Sequence, residues 1–532
     1  MSERGESHGD ALERIAGAGT YRTLGEQKLS PAEERFEKGR RTIGLFLAPA
    51  LFVIFLLLPL DMESDQQKLA AALLFVIVLW ISEAIPIPIG GLLGIAVIVL
   101  IGVAPADDVI APFGSTTILV FIGAFIIAQA MLANGLARRF AFRVLAIPGV
   151  DKSTTRVIIA FGAITCLLSA FVSNTATVAM LLPTAIAILG TVANIIEKKE
   201  GSEAFDPLKL RVGVALMLML AYGASVGGLL TPVGSPPNLI GRGLIEEATD
   251  ERISFAEWIG AALPICAGMF VALCAILLLL NKPEVKRLEG VKEYVAEERR
   301  KLGALSRKEK NTLIAFGTAV TLWIVPGFVA IIAGDESKTY EDVTNRLDEG
   351  IVAVLAASLL FVLPNNWEKR EFTLTWNEAK NIDWGTILLF GSGIVFGSML
   401  QDTGLAETIG KSGADTFGVD SQLTITIFAV ILAILISETT SNTASAAVVV
   451  PIVIPVAVAA GVDPFVPALA ATFAASFGFM LPVSTPQNAI VYGSGLVPIT
   501  QMVRNGFAFD VIGAILIVIG VPIMVSALGI GG

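Results

Sequence analysis

Two short stretches of this chain carry the same neutral polar triplet within apolar sequence: Ser173, Asn174 and Thr175, and Ser441, Asn442 and Thr443. Each has another serine four residues before it, Ser169 and Ser437, and a proline after it, Pro183 and Pro451. Over the fifteen positions 169–183 and 437–451, seven residues are identical. Such a cluster supplies a carboxamide, hydroxyls and freed backbone groups. Its carbonyl and hydroxyl oxygens suit a hard, weakly hydrated cation such as Na⁺; its amide and hydroxyl protons, with helix N-termini, suit an oxyanion. Downstream, the run Pro232–Asn238 matches Pro482–Asn488. Its prolines remove N–H donors and Gly234 permits unusual dihedrals, so a crossing helix should break there. A lone Ser, Asn or Thr in a membrane helix commonly only caps or glues. Two such sets, each followed by a matched break, point to a pair of half-sites.

The elements that must hold these motifs are membrane helices. Of 532 residues, 54% are hydrophobic and 16% charged, against about 25% charged in soluble domains. Apolar runs such as 42–60, 261–280 and 511–528 have the length that crosses ~30 Å of hydrocarbon. The expected fold is therefore an all-α polytopic membrane protein with about eleven transmembrane helices. Spans are expected at 42–60, 68–86, 88–104, 115–137, 213–245, 256–280, 311–333, 349–364, 384–406, 465–497 and 508–529, with 213–245 and 465–497 broken. Segments 156–194 and 421–461 read as re-entrant hairpins tipped by the two triplets. Residues 1–41 form a polar tail, in which Ser30 to Glu33 reads as a capping box opening a short surface helix that ends near Arg41. The expected organisation is this tail, a first helix (42–67), a first repeat (68–280), a basic loop (281–310) and a second repeat (311–532).

Charge sets the sides. The 281–310 loop holds ten basic residues, Arg138, Arg139, Arg143, Lys152 and Arg156 cluster in another, and Lys369, Arg370 and Lys380 mark a third, whereas 333–350 holds six acidic ones. If both hairpins dip in and return, every basic loop falls on one side. That places the N-terminus in the cytoplasm and the C-terminus outside the plasma or inner membrane. Each repeat then contains five crossings plus a hairpin, so the second copy enters the membrane from the opposite side. An inverted repeat with paired broken helices is a transporter pattern, with its site near the midplane.

Other functions are disfavoured. The net charge of −10 lacks the basic footprint of a nucleic-acid binder. The one histidine, His8, lies in the tail, and Cys166, Cys266 and Cys274 show no ligand spacing, so neither an enzyme nor a bound cofactor is expected. The first apolar run starts after some 40 polar residues, so no ordinary signal peptide is expected. Few carboxylates stand in or near the spans. Glu438 reads as a helix-orienting acceptor, Glu83 as a brace at a helix interface, and Asp383 sits at a boundary. Neither motif holds Lys or Arg, so an anion must be met by neutral donors, helix dipoles and any co-bound cation.

At Glu83–Pro86, at both triplets and at both proline-rich breaks, residues 42–532 resemble the divalent anion/sodium symporter family. The resemblance implies a homodimer in the lipid bilayer, with a scaffold domain and a transport domain that moves as an elevator. It implies one sodium site at Ser169, Ser173, Asn174 and Gly234, and another at Ser437, Thr440, Ser441, Asn442 and Ser484. Substrate carboxylates would meet Asn174, Thr175, Ser235 and Pro236 on one side, and Asn442, Thr443, Thr485 and Pro486 on the other. Ser437 stands where relatives often have threonine, and Gln487 replaces a second proline. The expected function is import of C4-dicarboxylates of the succinate, malate and fumarate class, with sodium as coupling ion. The alternatives are a sodium-independent dicarboxylate exchanger, a sodium-coupled citrate or sulfate transporter, and an anion channel.

Overall fold

A computed structural model describes residues 31–60, 62–150, 152–200, 210–285, 291–334, 337–410 and 421–531. Ser30 and the rest of the polar tail, with the N-cap of the expected capping box, lie outside them. The first helices are α1 (Pro31–Leu57), α2 (Ser64–Ser82), α3 (Ile87–Leu100), α4 (Ala106–Ile110), α5 (Thr116–Ala133) and α6 (Leu136–Leu145). They are followed by α7 (Thr154–Ser169), α8 (Asn174–Glu200), α9 (Arg211–Gly228), α10 (Pro236–Thr249) and α11 (Phe255–Leu280). Next come α12 (Val291–Leu302), α13 (Arg307–Ala333), α14 (Lys338–Arg346), α15 (Glu349–Val362), α16 (Trp376–Ala379) and α17 (Trp384–Asp402). The last are α18 (Gln422–Thr439), α19 (Asn442–Ala459), α20 (Phe465–Ala474), α21 (Pro486–Gly493) and α22 (Ile499–Leu528).

Ten described helices are long and apolar enough to cross a membrane, and the expected spans and both helical pairs are present. Three details differ from expectation. Among the described residues no separate surface helix precedes the first span, because α1 runs unbroken from Pro31 into the apolar run. The all-α expectation misses a two-stranded ribbon, β1 (Pro364–Asn366) against β2 (Glu371–Phe372). The spans expected at 88–104 and 349–364 are helical for only 14 residues each, about 21 Å of rise and too short to cross alone. Helix ends follow local chemistry. Glu83 closes α2 in the left-handed region at φ 48°, and Ser306 with Glu309 forms a capping box that opens α13.

The helices sort into two bundles. In one, α5 packs on α15, α3 on α17, α1 on α2 and α13 on α15. A Cβ at Gly123 would lie 2.6 Å from the Ala353 carbonyl oxygen, so α5 approaches α15 at backbone distance. The other bundle joins α7–α11 to α18–α22. The two repeats cross over there: α10 packs on α19, and α21 packs on α8. Each broken helix thus meets the hairpin arm of the other repeat. α9 lies in the middle, with almost every residue from Val212 to Gly228 buried, as an all-round apolar helix requires. Outer helices show bare Phe46, Leu57, Ile331 and Ile332 instead, as lipid-facing surfaces do.

Candidate substrate and cation site

The first tip is the turn between α7 and α8. Ser169 Oγ donates to Asn174 Oδ1 at 2.5 Å, and Ser173 Oγ caps α8 by accepting the Ala176 N–H at 3.2 Å. Facing it, the chain unwinds between α9 and α10 around a 3₁₀ turn, Pro232–Gly234. The Thr231 hydroxyl donates to the Ala170 carbonyl. Asn238 reaches back from α10, its Nδ2 donating to the carbonyls of Gly228 at 2.7 Å and Thr231 at 2.8 Å. Close approach demands glycine twice: a Cβ at Gly228 would meet Asn174 Oδ1 at 2.5 Å, and one at Gly234 would meet the Ala170 carbonyl oxygen at 2.9 Å. Oxygens of Ser169, Ala170, Asn174 and Gly228 therefore crowd one buried spot. That donor chemistry suits a hard cation.

The second tip repeats this plan. Ser437 Oγ bonds to Asn442 Oδ1 and to the Ala475 carbonyl, each at 2.8 Å. Ser441 Oγ accepts the Ala444 N–H at 3.2 Å. Asn488 is the twin of Asn238, with Nδ2 donating to the carbonyls of Gly478 at 2.7 Å and Leu481 at 3.1 Å. A Cβ at Gly478 would meet Asn442 Oδ1 at 3.2 Å and Ser437 Oγ at 3.3 Å. The serine in place of threonine at 437 keeps its hydroxyl bond. The glutamine in place of proline at 487 leaves the backbone unchanged: Ser235 (φ −146°, ψ 140°) and Thr485 (φ −143°, ψ 145°) are both extended residues before an N-terminal proline. Gln487 Nε2 donates to Ser225 Oγ at 2.9 Å.

Both tips open onto one cavity of about 570 Å³. Ser173, Asn174, Thr175, Gly234, Ser235 and Pro236 line it from one side, and Ser441, Asn442, Thr443, Ser484, Thr485 and Pro486 from the other. Ser169, Ser437 and Thr440 are buried behind the tips and do not line it. The N-termini of α8, α10, α19 and α21 all begin at this cavity. Four helix N-termini, each the positive end of its helix dipole, make a neutral cradle for an anion. Among the described residues no Lys or Arg lines it.

Glu438 orients the second break, as expected from the sequence. It accepts the N–H groups of Met480 at 2.7 Å and Leu481 at 3.2 Å, and the Ser484 hydroxyl at 2.9 Å. Glu83 braces an interface: it pairs with Arg40 at 3.2 Å, and Arg40 also donates to the Thr439 carbonyl at 3.1 Å, beside the second tip. The sequence reading missed several residues. Phe125 and Gln129 of α5, with Asn381 and Thr386, complete the cavity wall from the other bundle. Asp510 of α22 is buried at 4% exposure, and neither of its carboxylate oxygens has a hydrogen-bond partner among the described residues. Its only signal was a carboxylate inside a long apolar run. Arg242, on α10, bonds Glu246 at 2.8 Å and Glu349 at 2.6 Å, tying the two bundles together. Among the described residues no group of three His, Cys, Asp or Glu could hold a metal.

The model of the sodium:sulfate symporter transmembrane region matches residues 40–529. The chain belongs to this family. Relatives agree. The sodium-dependent dicarboxylate transporter SdcS of Staphylococcus saprophyticus is 34% identical over 487 residues, 91% of each chain. SdcS of Staphylococcus aureus strain RF122 is 33% identical over 506 residues, 94% of each chain. Two solved structures share the fold. The antimetabolite efflux pump MtrF of Neisseria gonorrhoeae matches with a TM-score of 0.54 at 14% identity, over 96% of this chain and 97% of that one. The Alcanivorax borkumensis YdaH transporter matches with a TM-score of 0.50 at 13% identity, over 92% of this chain and 98% of that one. As a member of the sodium:sulfate symporter family, the chain is a multi-pass membrane transporter and not an enzyme. The resemblance read from the tips and breaks is correct.

Proposed function

We propose that this transporter imports C4-dicarboxylates, coupled to sodium, by alternating access of a rigid domain. The observation that carries the reading is the twinned site: two oxygen-rich tips and four helix N-termini around one cavity that no described basic side chain lines. A dianion there needs positive charge from elsewhere, and cations bound at the tips supply it while reducing its desolvation cost. The first sodium would take Ser169, Ser173, Asn174 and the backbone at Gly234. The second would take Ser437, Ser441, Asn442 and the backbone at Thr440 and Ser484. The carboxylates would meet Asn174, Thr175, Ser235 and Pro236 across from Asn442, Thr443, Thr485 and Pro486. Relatives named as sodium-dependent dicarboxylate transporters support this substrate class.

The division into two bundles supports an elevator, in which α7–α11 and α18–α22 move against the rest as a homodimeric scaffold stays fixed. The basic loops favour a cytoplasmic N-terminus and an extracytoplasmic C-terminus. Labelled succinate uptake into proteoliposomes tests the coupling. An inward sodium gradient should drive accumulation, with malate and fumarate competing. Uptake indifferent to sodium but stimulated by internal dicarboxylate would instead identify an exchanger, and stronger competition by sulfate than by succinate would reassign the substrate.

A further inference from the structure

Among the described residues one charged side chain lines the cavity, and it is negative. Asp383 caps α17, accepting the Thr386 N–H at 3.1 Å and the Thr386 hydroxyl at 2.5 Å. Among the described residues it makes no ion pair, and it is exposed at the cavity wall beside Asn381. It sits three residues after Lys380 of a basic loop, so it stands on the wall nearest the face assigned to the cytoplasm. All other described lining groups are apolar or neutral.

We propose that Asp383 is a specificity-determining residue that selects by valence, holding back trianionic tricarboxylates in favour of dianions. This rests on the dicarboxylate reading above. The physical basis is that a fixed carboxylate repels each unit of substrate charge equally. Across about 10 Å of water, one unit pair costs a factor of roughly two in affinity. A dianion therefore loses about fourfold and a trianion about eightfold, and both losses shrink as salt screens them. Hydrophobic or steric selection has no such scaling.

The test is equilibrium binding of succinate and of citrate, at a pH where citrate is trianionic, to the purified full-length protein with sodium held constant. Asp383→Asn keeps an Oδ1 acceptor for the Thr386 N–H, and its Nδ2 donates to the Thr386 hydroxyl, which rotates to accept, so the cap is kept; unchanged thermal unfolding checks this. Its expected effect is about fourfold tighter succinate and about eightfold tighter citrate at low ionic strength, both fading in added choline chloride. Asp383→Glu, which restores the charge, should return the citrate-to-succinate ratio to that of the wild type. Equal gains for both ligands, no gain for succinate, salt-independent gains, or citrate excluded alike from wild type and Asp383→Asn would each overturn the proposal. The last outcome would assign selection to cavity shape. Sodium-dependent succinate binding by the wild type separately tests the dicarboxylate reading, so the two failures are distinguishable.

Discussion

At the first half-site the tip carbonyl of Ala170 is held by a hydroxyl, that of Thr231. At the second, the matching carbonyl of Glu438 is held by Ser484 at 2.9 Å, and residue 438 adds a carboxylate that takes two backbone N–H groups. The unwound stretch differs accordingly. It covers 229–235 between α9 and α10, but 475–485 between α20 and α21. Unwound backbone at membrane depth must find partners within the protein. Glu438, Ser437 and Asn442 provide them, the last donating to the Ser476 carbonyl at 3.2 Å. One polar plan can thus be held by hydroxyls where the break is short, and requires a carboxylate where it is long.

The largest effect expected tests a further asymmetry. α10 is anchored to the other bundle by Arg242, whereas the matching position of α21 is Tyr492, which carries no charge. Arg242→Gln strands Glu246 and Glu349 and should lower unfolding stability by about 3–5 kcal/mol, while Tyr492→Phe should cost little. Comparable losses in thermal unfolding would erase the distinction between the two broken helices.

Next come the shared residues. Asn174→Ala and Asn442→Ala should each weaken sodium-dependent succinate binding by roughly two orders of magnitude, the ~3 kcal/mol of a buried polar group left unpaired. Both variants should stay folded. Retained uptake in either one would confine the site to the other tip.

Glu438→Gln should cost about 2 kcal/mol, because its amide places N–H₂ against donors and loses bonds to a charged acceptor. Thr231→Val, which removes the hydroxyl that holds the first tip, should cost about 1 kcal/mol, the worth of one neutral hydrogen bond. Denaturant or thermal unfolding in detergent reads both, and equal costs would mean that the carboxylate adds nothing to the longer break.

Much of this was legible in the chain itself. The tips, the breaks and the order of spans follow from hydropathy, proline and the repeat of 169–183 at 437–451. The start of α1 was not legible, since the polar residues 31–41 read equally well as surface helix or as the wet end of a span. Asp510 was hidden because an apolar window averages over one carboxylate. Arg242 and Glu349 stand 107 residues apart, and nothing in their local sequence pairs them. Asp383 could be seen as a boundary carboxylate, but its place on the cavity wall could not.

The sequence by itself therefore determined a membrane-embedded, twofold-repeated transporter with neutral polar tips, because periodicity, length and the absence of basic residues are properties of the string. Only the tertiary structure decided that α10 packs on α19 and α21 on α8, so that both tips and Asp383 share one cavity. Lipid tails are as apolar as leucine, so hydrophobicity does not choose which helices become neighbours. That choice is made by glycines such as Gly123, Gly228 and Gly478, where backbones and side-chain oxygens come within contact distance, and those partners exist only once the chain has folded.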